Sequence, residues 1–226
     1  MRKNYRYEIK FILDDANLSR IYQWIKERTF VKKTYPNRQV NSLYFDDINY
    51  TSVKDNLAGI SDRQKMRLRW YGKEEDTNSP SFEFKLREGR LNWKESFPVE
   101  RLENNLLKFD LKDILFECKN ELFNQRVILD EYILPTLQTG YEREYYADAE
   151  GIRLTIDHNI IFHNPMLHKI LNHGCVTEYP LKVLEIKFDP VLKDNVARII
   201  KSLHITPKRH SKYLVGLAKL GFVTYI

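Results

Sequence analysis

The strongest constraint in this chain is an alternation. In residues 65–71, Lys65, Arg67 and Arg69 take every second position, and Met66, Leu68 and Trp70 stand between them. Successive side chains of a strand point to opposite sides, so such a segment has one charged and one apolar face. The same period recurs four times. Glu8 and Lys10 oppose Tyr7, Ile9 and Phe11; Glu83, Lys85 and Arg87 oppose Phe82, Phe84 and Leu86. Arg153, Thr155 and Asp157 oppose Ile152, Leu154 and Ile156, and Glu185 and Lys187 oppose Leu184, Ile186 and Phe188.

An open sheet with one wetted face accounts for any single strand of this kind. Five of them together ask for more. On the charged faces Lys10, Lys65, Arg67, Arg69, Lys85, Arg87, Arg153 and Lys187 outnumber Glu8, Glu83, Asp157 and Glu185, and neighbours of one sign repel. A closed sheet reconciles the pattern. Its apolar faces would point outward beneath amphipathic helices, and its charged faces would line a central water-filled tunnel. Such a tunnel concentrates positive potential and attracts a linear polyanion, while the carboxylates of Glu8, Glu83 and Glu185 would hold a divalent metal. The chain's formal charge of +6 suits an anionic partner.

The remaining segments supply the cover. A helix is expected after Asp14 or Asp15, with Leu18, Ile21, Tyr22 and Ile25 on one face. Residues 102–132 read as helical, with a break near 109–111. A further helix follows Pro190, and a last one starts at Ser211. Further strands are expected at 40–45, 139–146, 151–157 and 181–188. Residues 73–81 read as a hairpin loop, and Glu88-Gly89 as a tight turn. No linker or repeat divides the 226 residues, which predicts one domain over 1–226. Cys118 and Cys175 form no CxxC pair, so a reducing compartment is expected. The first residues lack the apolar stretch of a secretion signal, and no apolar run reaches membrane-spanning length. A cytoplasmic location follows as the expectation. The chain shows no GxxxxGK[ST] loop, no dinucleotide fingerprint and no Ser-His-Asp order.

Ordered motifs then give a resemblance. They are Glu8-Ile9-Lys10-Phe11, Leu43-Tyr44-Phe45-Asp46, Met66-Arg67-Leu68-Arg69-Trp70-Tyr71-Gly72, Phe82-Glu83-Phe84-Lys85 and Trp93-Lys94-Glu95-Ser96. Tyr141-Glu142-Arg143, Ile152-Arg153-Leu154-Thr155-Ile156-Asp157, Val183-Leu184-Glu185-Ile186-Lys187 and Ser211-Lys212-Tyr213 follow in turn. Together they resemble the catalytic domain of the vacuolar transporter chaperone complex, a polyphosphate polymerase family of the triphosphate tunnel metalloenzyme superfamily.

The resemblance implies an α+β fold, an eight-stranded antiparallel β-barrel tunnel with flanking α-helices. It implies transfer of the γ-phosphate of ATP to a growing inorganic polyphosphate chain, with Mn2+ or Mg2+ as cofactor. Arg67, Arg69 and Lys85 match the family's catalytic basic residues, and Lys10 and Lys94 further phosphate grips. Tyr141, Arg143 and Arg153 match a second phosphate-contacting set, Ser211 and Lys212 a contact at the start of the last helix, and Glu185 the metal-holding carboxylate. Lys54, Arg63 and Lys65 compete for one remaining basic position, and alternation favours Lys65. Arg6 stands where the superfamily has the first of two glutamates. An inorganic triphosphatase or polyphosphate hydrolase on the same fold is the alternative, and a non-catalytic polyanion-binding module a third reading. No specific nucleic acid is expected, and a membrane-protein partner is left open.

Overall fold

The computed structural model describes residues 6–73, 77–89, 91–165, 169, 171–172 and 174–224. One antiparallel sheet dominates. Its strands are β1 (Tyr7–Leu13), β2 (Lys32–Asp46), β3 (Arg63–Tyr71), β4 (Asn78–Glu88), β5 (Leu91–Pro98), β6 (Leu134–Ala147), β7 (Arg153–His163), β8 (Val176–Tyr179) and β9 (Lys182–Phe188). Eight run in the order β1-β9-β7-β6-β2-β3-β4-β5, and the four-residue β8 is appended to β7.

Closure is the point where the expected barrel differs. Among the described residues no ladder joins β1 to β5. The two edges meet at one bridge, Arg6 to Asn92, where the Arg6 N–H donates to the Asn92 carbonyl at 3.4 Å. The wall is a strongly curved sheet whose ends touch at one point.

The apolar faces turn outward under helices, as the alternation requires. Helix α1 (Asp15–Arg28) is capped by Asp14, whose carboxylate accepts from the Asn17 N–H at 2.7 Å. Ile21, Trp24 and Ile25 of α1 pack with Phe11, Leu154, Leu184, Ile186 and Phe188, beside Val196 of α4 (Lys193–Lys201). On the other flank Ile114, Leu115, Cys118 and Leu122 of α3 (Leu111–Asn124) cover Leu43, Phe45, Met66, Leu68, Phe82 and Phe84. Each such side chain contributes roughly 1.5–3 kcal/mol by leaving water.

Residues 102–132 do not form one helix. Two 3-10 turns, Glu100–Leu102 and Leu106–Lys108, precede α3, and Asp110 caps α3 through the Asp113 N–H. The polar loop before β4 is also shorter than expected, since β4 begins at Asn78. Gly89 turns at φ +58°, as the tight turn needs.

A short helix, α2 (Thr51–Leu57), was not foreseen. Asp46 and Asp47 organise its start. Asp47 Oδ1 accepts from the N–H groups of Asn49 and Thr51, and Asp46 Oδ1 from that of Ser52. Among the described residues no helix is long and apolar enough to cross a membrane.

The last helix, α5 (Lys212–Lys219), lies against the inner face of the sheet. Tyr213, Leu214, Val215 and Leu217 pack with Val40, Tyr44, Leu137, Ile160, Phe162 and Val183. The concave face is therefore divided. One end is filled by an apolar helix, and the rest is charged. Among the described residues the concave side is a charged recess bounded at one end by the apolar cluster around α5. Gly216 permits the approach: a Cβ there would meet Leu137 Cδ2 at 2.6 Å and Phe162 Cδ1 at 2.7 Å.

Candidate functional site

The register of the ladders brings the charged faces together. Lys10 lies opposite Glu185, and Glu8 opposite Lys187; Lys65 lies opposite Lys85, and Lys85 opposite Lys94. Lys85 Nζ donates to both oxygens of Glu8, at 2.9 and 3.0 Å. Lys10 Nζ lies 3.7 Å from Glu185 and 3.9 Å from Glu8. Lys187 Nζ lies 2.6 Å from Glu185 Oε1 and 3.9 Å from Glu8. Arg67 grips Glu83 Oε2 through Nε at 2.8 Å and Nη2 at 2.6 Å, and Lys94 takes the other Glu83 oxygen at 2.7 Å. Arg143 holds Asp157 with two nitrogens, one at 2.8 Å, and Lys212 from the start of α5 completes that carboxylate.

Nine cations thus share the recess with four carboxylates. They are Lys10, Lys65, Arg67, Arg69, Lys85, Lys94, Arg143, Lys187 and Lys212, against Glu8, Glu83, Asp157 and Glu185. Lys65 shows the imbalance best. Its Nζ donates to Ser211 Oγ at 2.8 Å. Burial first, then Lys10, Lys85, Arg63 and Arg67, hold its ammonium well below the ordinary lysine range. Arg69 is buried, its Nε without a hydrogen-bond partner.

The acids respond in the opposite sense. Burial pushes the Glu83 carboxyl up, but Arg67, Arg69 and Lys94 outweigh it and bring it down to about 2. Burial opposes ionisation of Glu185 as well, yet Lys187, Lys10 and Lys85 hold it well below the carboxylate range. Tyr141 is 2% exposed, with Lys212 Nζ 4.5 Å and Arg143 Cζ 5.2 Å from its ring centre. Burial raises its phenol, and Arg143, Arg69 and Lys212 more than reverse this.

Of the residues expected from sequence, Lys10, Lys65, Arg67, Arg69, Lys85, Lys94, Tyr141, Arg143, Ser211, Lys212, Glu8, Glu83 and Glu185 all face this recess. Arg153 shares this face, opposite Lys187 in the β7–β9 register, but sits at its outer end. It is exposed at the start of β7, near Arg6. Ser211 is both the N-cap of α5 and the partner of Lys65. The carboxylates do not form one group. Glu8 and Glu185 neighbour each other, while Glu83 is held by Arg67 and Lys94. Among the described residues no three His, Cys, Asp or Glu side chains stand in a metal-holding arrangement.

Several participants were not assigned a role from the sequence. Alternation already put Asp157 and Lys187 on the charged faces, and the structure makes each a partner in an ion pair. Tyr44 stacks on Tyr213 with ring centres 4.9 Å apart and lies 3.5 Å from Arg67. Asp46 accepts from the Tyr213 hydroxyl at 2.9 Å, which ties α5 to the strand end. His210 gives its carbonyl to Lys10 Nζ at 3.2 Å.

A curved antiparallel sheet whose buried concave face is lined with lysine and arginine defines a class of domain suited to an anionic ligand. Residues 5–221 match the model of the VTC domain, and the chain belongs to that family. It is 23% identical to vacuolar transporter chaperone complex subunit 2 of Saccharomyces cerevisiae over 83% of this chain, which spans 29% of that protein's length. The fold is shared with PH1819 of Pyrococcus horikoshii, at 15% identity and a TM-score of 0.55 over 95% of this chain and 99% of that one. It is also shared with HpAC1 of Hippeastrum, a protein with a dominant triphosphatase activity, at 14% identity and a TM-score of 0.52 over 95% and 96% of the two chains.

Proposed function

We propose that this domain transfers the γ-phosphate of ATP onto the end of an inorganic polyphosphate chain. Membership of the VTC domain family supports the substrate class. The observation that carries the reading is the buried excess of cations around Lys65, which has four basic neighbours and a single hydroxyl partner. Uncompensated buried charge is costly, and a triphosphate inserted among these groups would remove the cost.

Phosphoryl transfer asks a protein mainly to hold the reacting oxygens in line and neutralise charge on the equatorial ones. Arg67, Arg69 and Arg143 offer forked donors, and Lys10, Lys65, Lys85 and Lys94 point charges. The attacking group is the terminal phosphate of the acceptor, already ionised, so no protein nucleophile is required. Glu8 and Glu185 fit a divalent ion. Both are held ionised by lysines, which a bound cation would displace from the carboxylate oxygens. Mg2+ and Mn2+ bind through one or two carboxylates with substrate phosphates and water completing the shell. Bound there, the ion would add Lewis-acid charge to the terminal phosphate oxygens. The yeast relative is a subunit of a complex, which supports partner subunits for this domain too.

Incubation with ATP and Mn2+ should yield long-chain polyphosphate and ADP. Orthophosphate without chain growth would assign the site to a hydrolase with water as acceptor. Salt-sensitive binding without turnover would make it a polyanion-binding module.

A further inference from the structure

The outer half of β2 leads from the recess into solvent, and it carries aromatic groups that phosphate chemistry leaves unused. The ladder between β2 and β6 is irregular on both sides of Tyr35, between Lys33 and Tyr35 and again between Tyr35 and Arg38. Inward positions of β2 nearer the recess are Val40, Ser42 and Tyr44, so a regular strand would turn Arg38 inward and Tyr35 outward. The extra residue at Pro36-Asn37 changes that. Arg38 stands opposite Arg143, and Tyr35 opposite Tyr145, so both join the inward row. Asn37 Nδ2 donates to Glu142 Oε1 at 3.1 Å and secures the bulge.

Among the described residues three arginine–tyrosine cation–π contacts then line this side, in order of increasing ring exposure. Arg143 lies 5.2 Å from the centre of the Tyr141 ring, Arg69 5.2 Å from that of Tyr71, and Arg38 5.2 Å from that of Tyr35. Tyr141 is 2% exposed and Tyr35 is 55% exposed. Tyr145 joins the series, edge-on to Tyr35 with ring centres 5.9 Å apart and close to Arg143, Tyr71 and Arg69. A phosphate chain has no use for an exposed ring. A nucleobase does, because every base presents a π face to tyrosine and to a guanidinium plane.

We propose that Tyr35 and Arg38, supported by Tyr71 and Tyr145, form a nucleobase platform at the rim, which makes the site select a nucleoside triphosphate over an inorganic one. The terminal phosphates enter the charged recess, and the base stays outside on the platform. This inference rests on the reading that the recess takes a triphosphate.

Calorimetric titration separates the two. The unaltered chain is titrated with the β,γ-imido analogue of ATP and with inorganic tripolyphosphate, and the titrations are repeated with Tyr35→Ala and Tyr35→Trp. Stacking is worth roughly 1–3 kcal/mol per base, so Tyr35→Ala should weaken the analogue about tenfold. Tripolyphosphate affinity should stay the same, and Tyr35→Trp should retain the analogue. Equal weakening of both ligands, or no weakening of the analogue, overturns the platform while the phosphate reading stands. Failure of the unaltered chain to bind either ligand overturns both.

Discussion

Lys85 on β4 and Glu8 on β1 form a two-pronged ion pair across the recess, with Nζ 2.9 and 3.0 Å from the two carboxylate oxygens. The two strands are not neighbours in the sheet; β5 lies between them, and among the described residues its edge is bridged to the β1 side at Arg6–Asn92, just before β1. The pair therefore spans the point where the wall is not closed by a ladder, and it occupies a lysine that a phosphate would claim. Glu8→Gln should free Lys85. Without metal, tripolyphosphate should bind several-fold tighter to this variant, because a competing carboxylate is gone. The melting temperature of the ligand-free protein should fall, since removal of one partner leaves a buried charge alone. Calorimetry with and without ligand reads both effects, and weaker metal-free binding would show that Glu8 does not compete.

Lys65 gives a prediction with a definite pH sign. Its folded pKa is lowered, so protonation favours the unfolded chain. The resulting loss of stability is absent above the unfolded lysine value of about 10.4, grows as pH falls below it, and levels off once pH passes the lowered folded value. Lys65→Met should therefore raise the melting temperature at pH 7, with the gain fading towards pH 10.5. The same variant should lose most of its affinity for tripolyphosphate. In the unaltered protein, triphosphate binding should draw in protons. Titration in buffers of different ionisation enthalpy measures this, and zero proton uptake across the alkaline range would count against a lowered Lys65.

The periodicity that exposed the recess could not show what fills its end. Alternation over 65–71, 82–87 and 184–188 marks two faces, and the apolar faces are buried under α1, α3 and α4 as that pattern requires. For the apolar run Tyr213 to Leu217, periodicity says only that the helix is buried. It does not say that the face it covers is the inner one, because that depends on Gly216 meeting Leu137 and Phe162. The outer half of β2 was missed for a related reason. Lys32 to Arg38 is exposed, and its bulges destroy the period of two that announces a strand. Helix α2 is seven residues long and is set by carboxylate contacts from Asp46 and Asp47, which leave no hydrophobic stripe to read.

Acid sensitivity follows from two buried carboxylates. Glu83 is brought down to about 2, and Asp157 is held well below its usual range: burial opposes this, and Arg143 and Lys212 overcome it. Groups of this kind stabilise fully above the unfolded carboxylate values, near 4, and the contribution is lost as pH falls through the folded ones. Thermal melts should change little from pH 7 to 5 and fall steeply between pH 4 and 2. Asp157→Asn strands Arg143 and Lys212, at a cost of roughly 3–5 kcal/mol at neutral pH. Its melting temperature should start lower and decline less on acidification. An identical acid limb in the variant would remove Asp157 from this account.

Gly216 tests whether the apolar end of the recess controls the chemistry beside it. Alanine is the better helix former, so an exposed glycine in α5 would gain stability on replacement. Here the added methyl would lie 2.6 Å from Leu137 Cδ2 and 2.7 Å from Phe162 Cδ1. Both residues are fully buried, and neither can move without disturbing the cluster around Val40, Ile160 and Val183. Gly216→Ala should cost about 1–3 kcal/mol, which for a domain of this size is a drop of roughly 2–12 °C in melting temperature. The helix would shift away from the sheet and take Ser211 and Lys212 with it. Affinity for tripolyphosphate should therefore fall in this variant although no phosphate-facing side chain has changed. Lowered stability with unaltered affinity would mean that α5 is only a plug, and that its first turn does not help to hold the ligand.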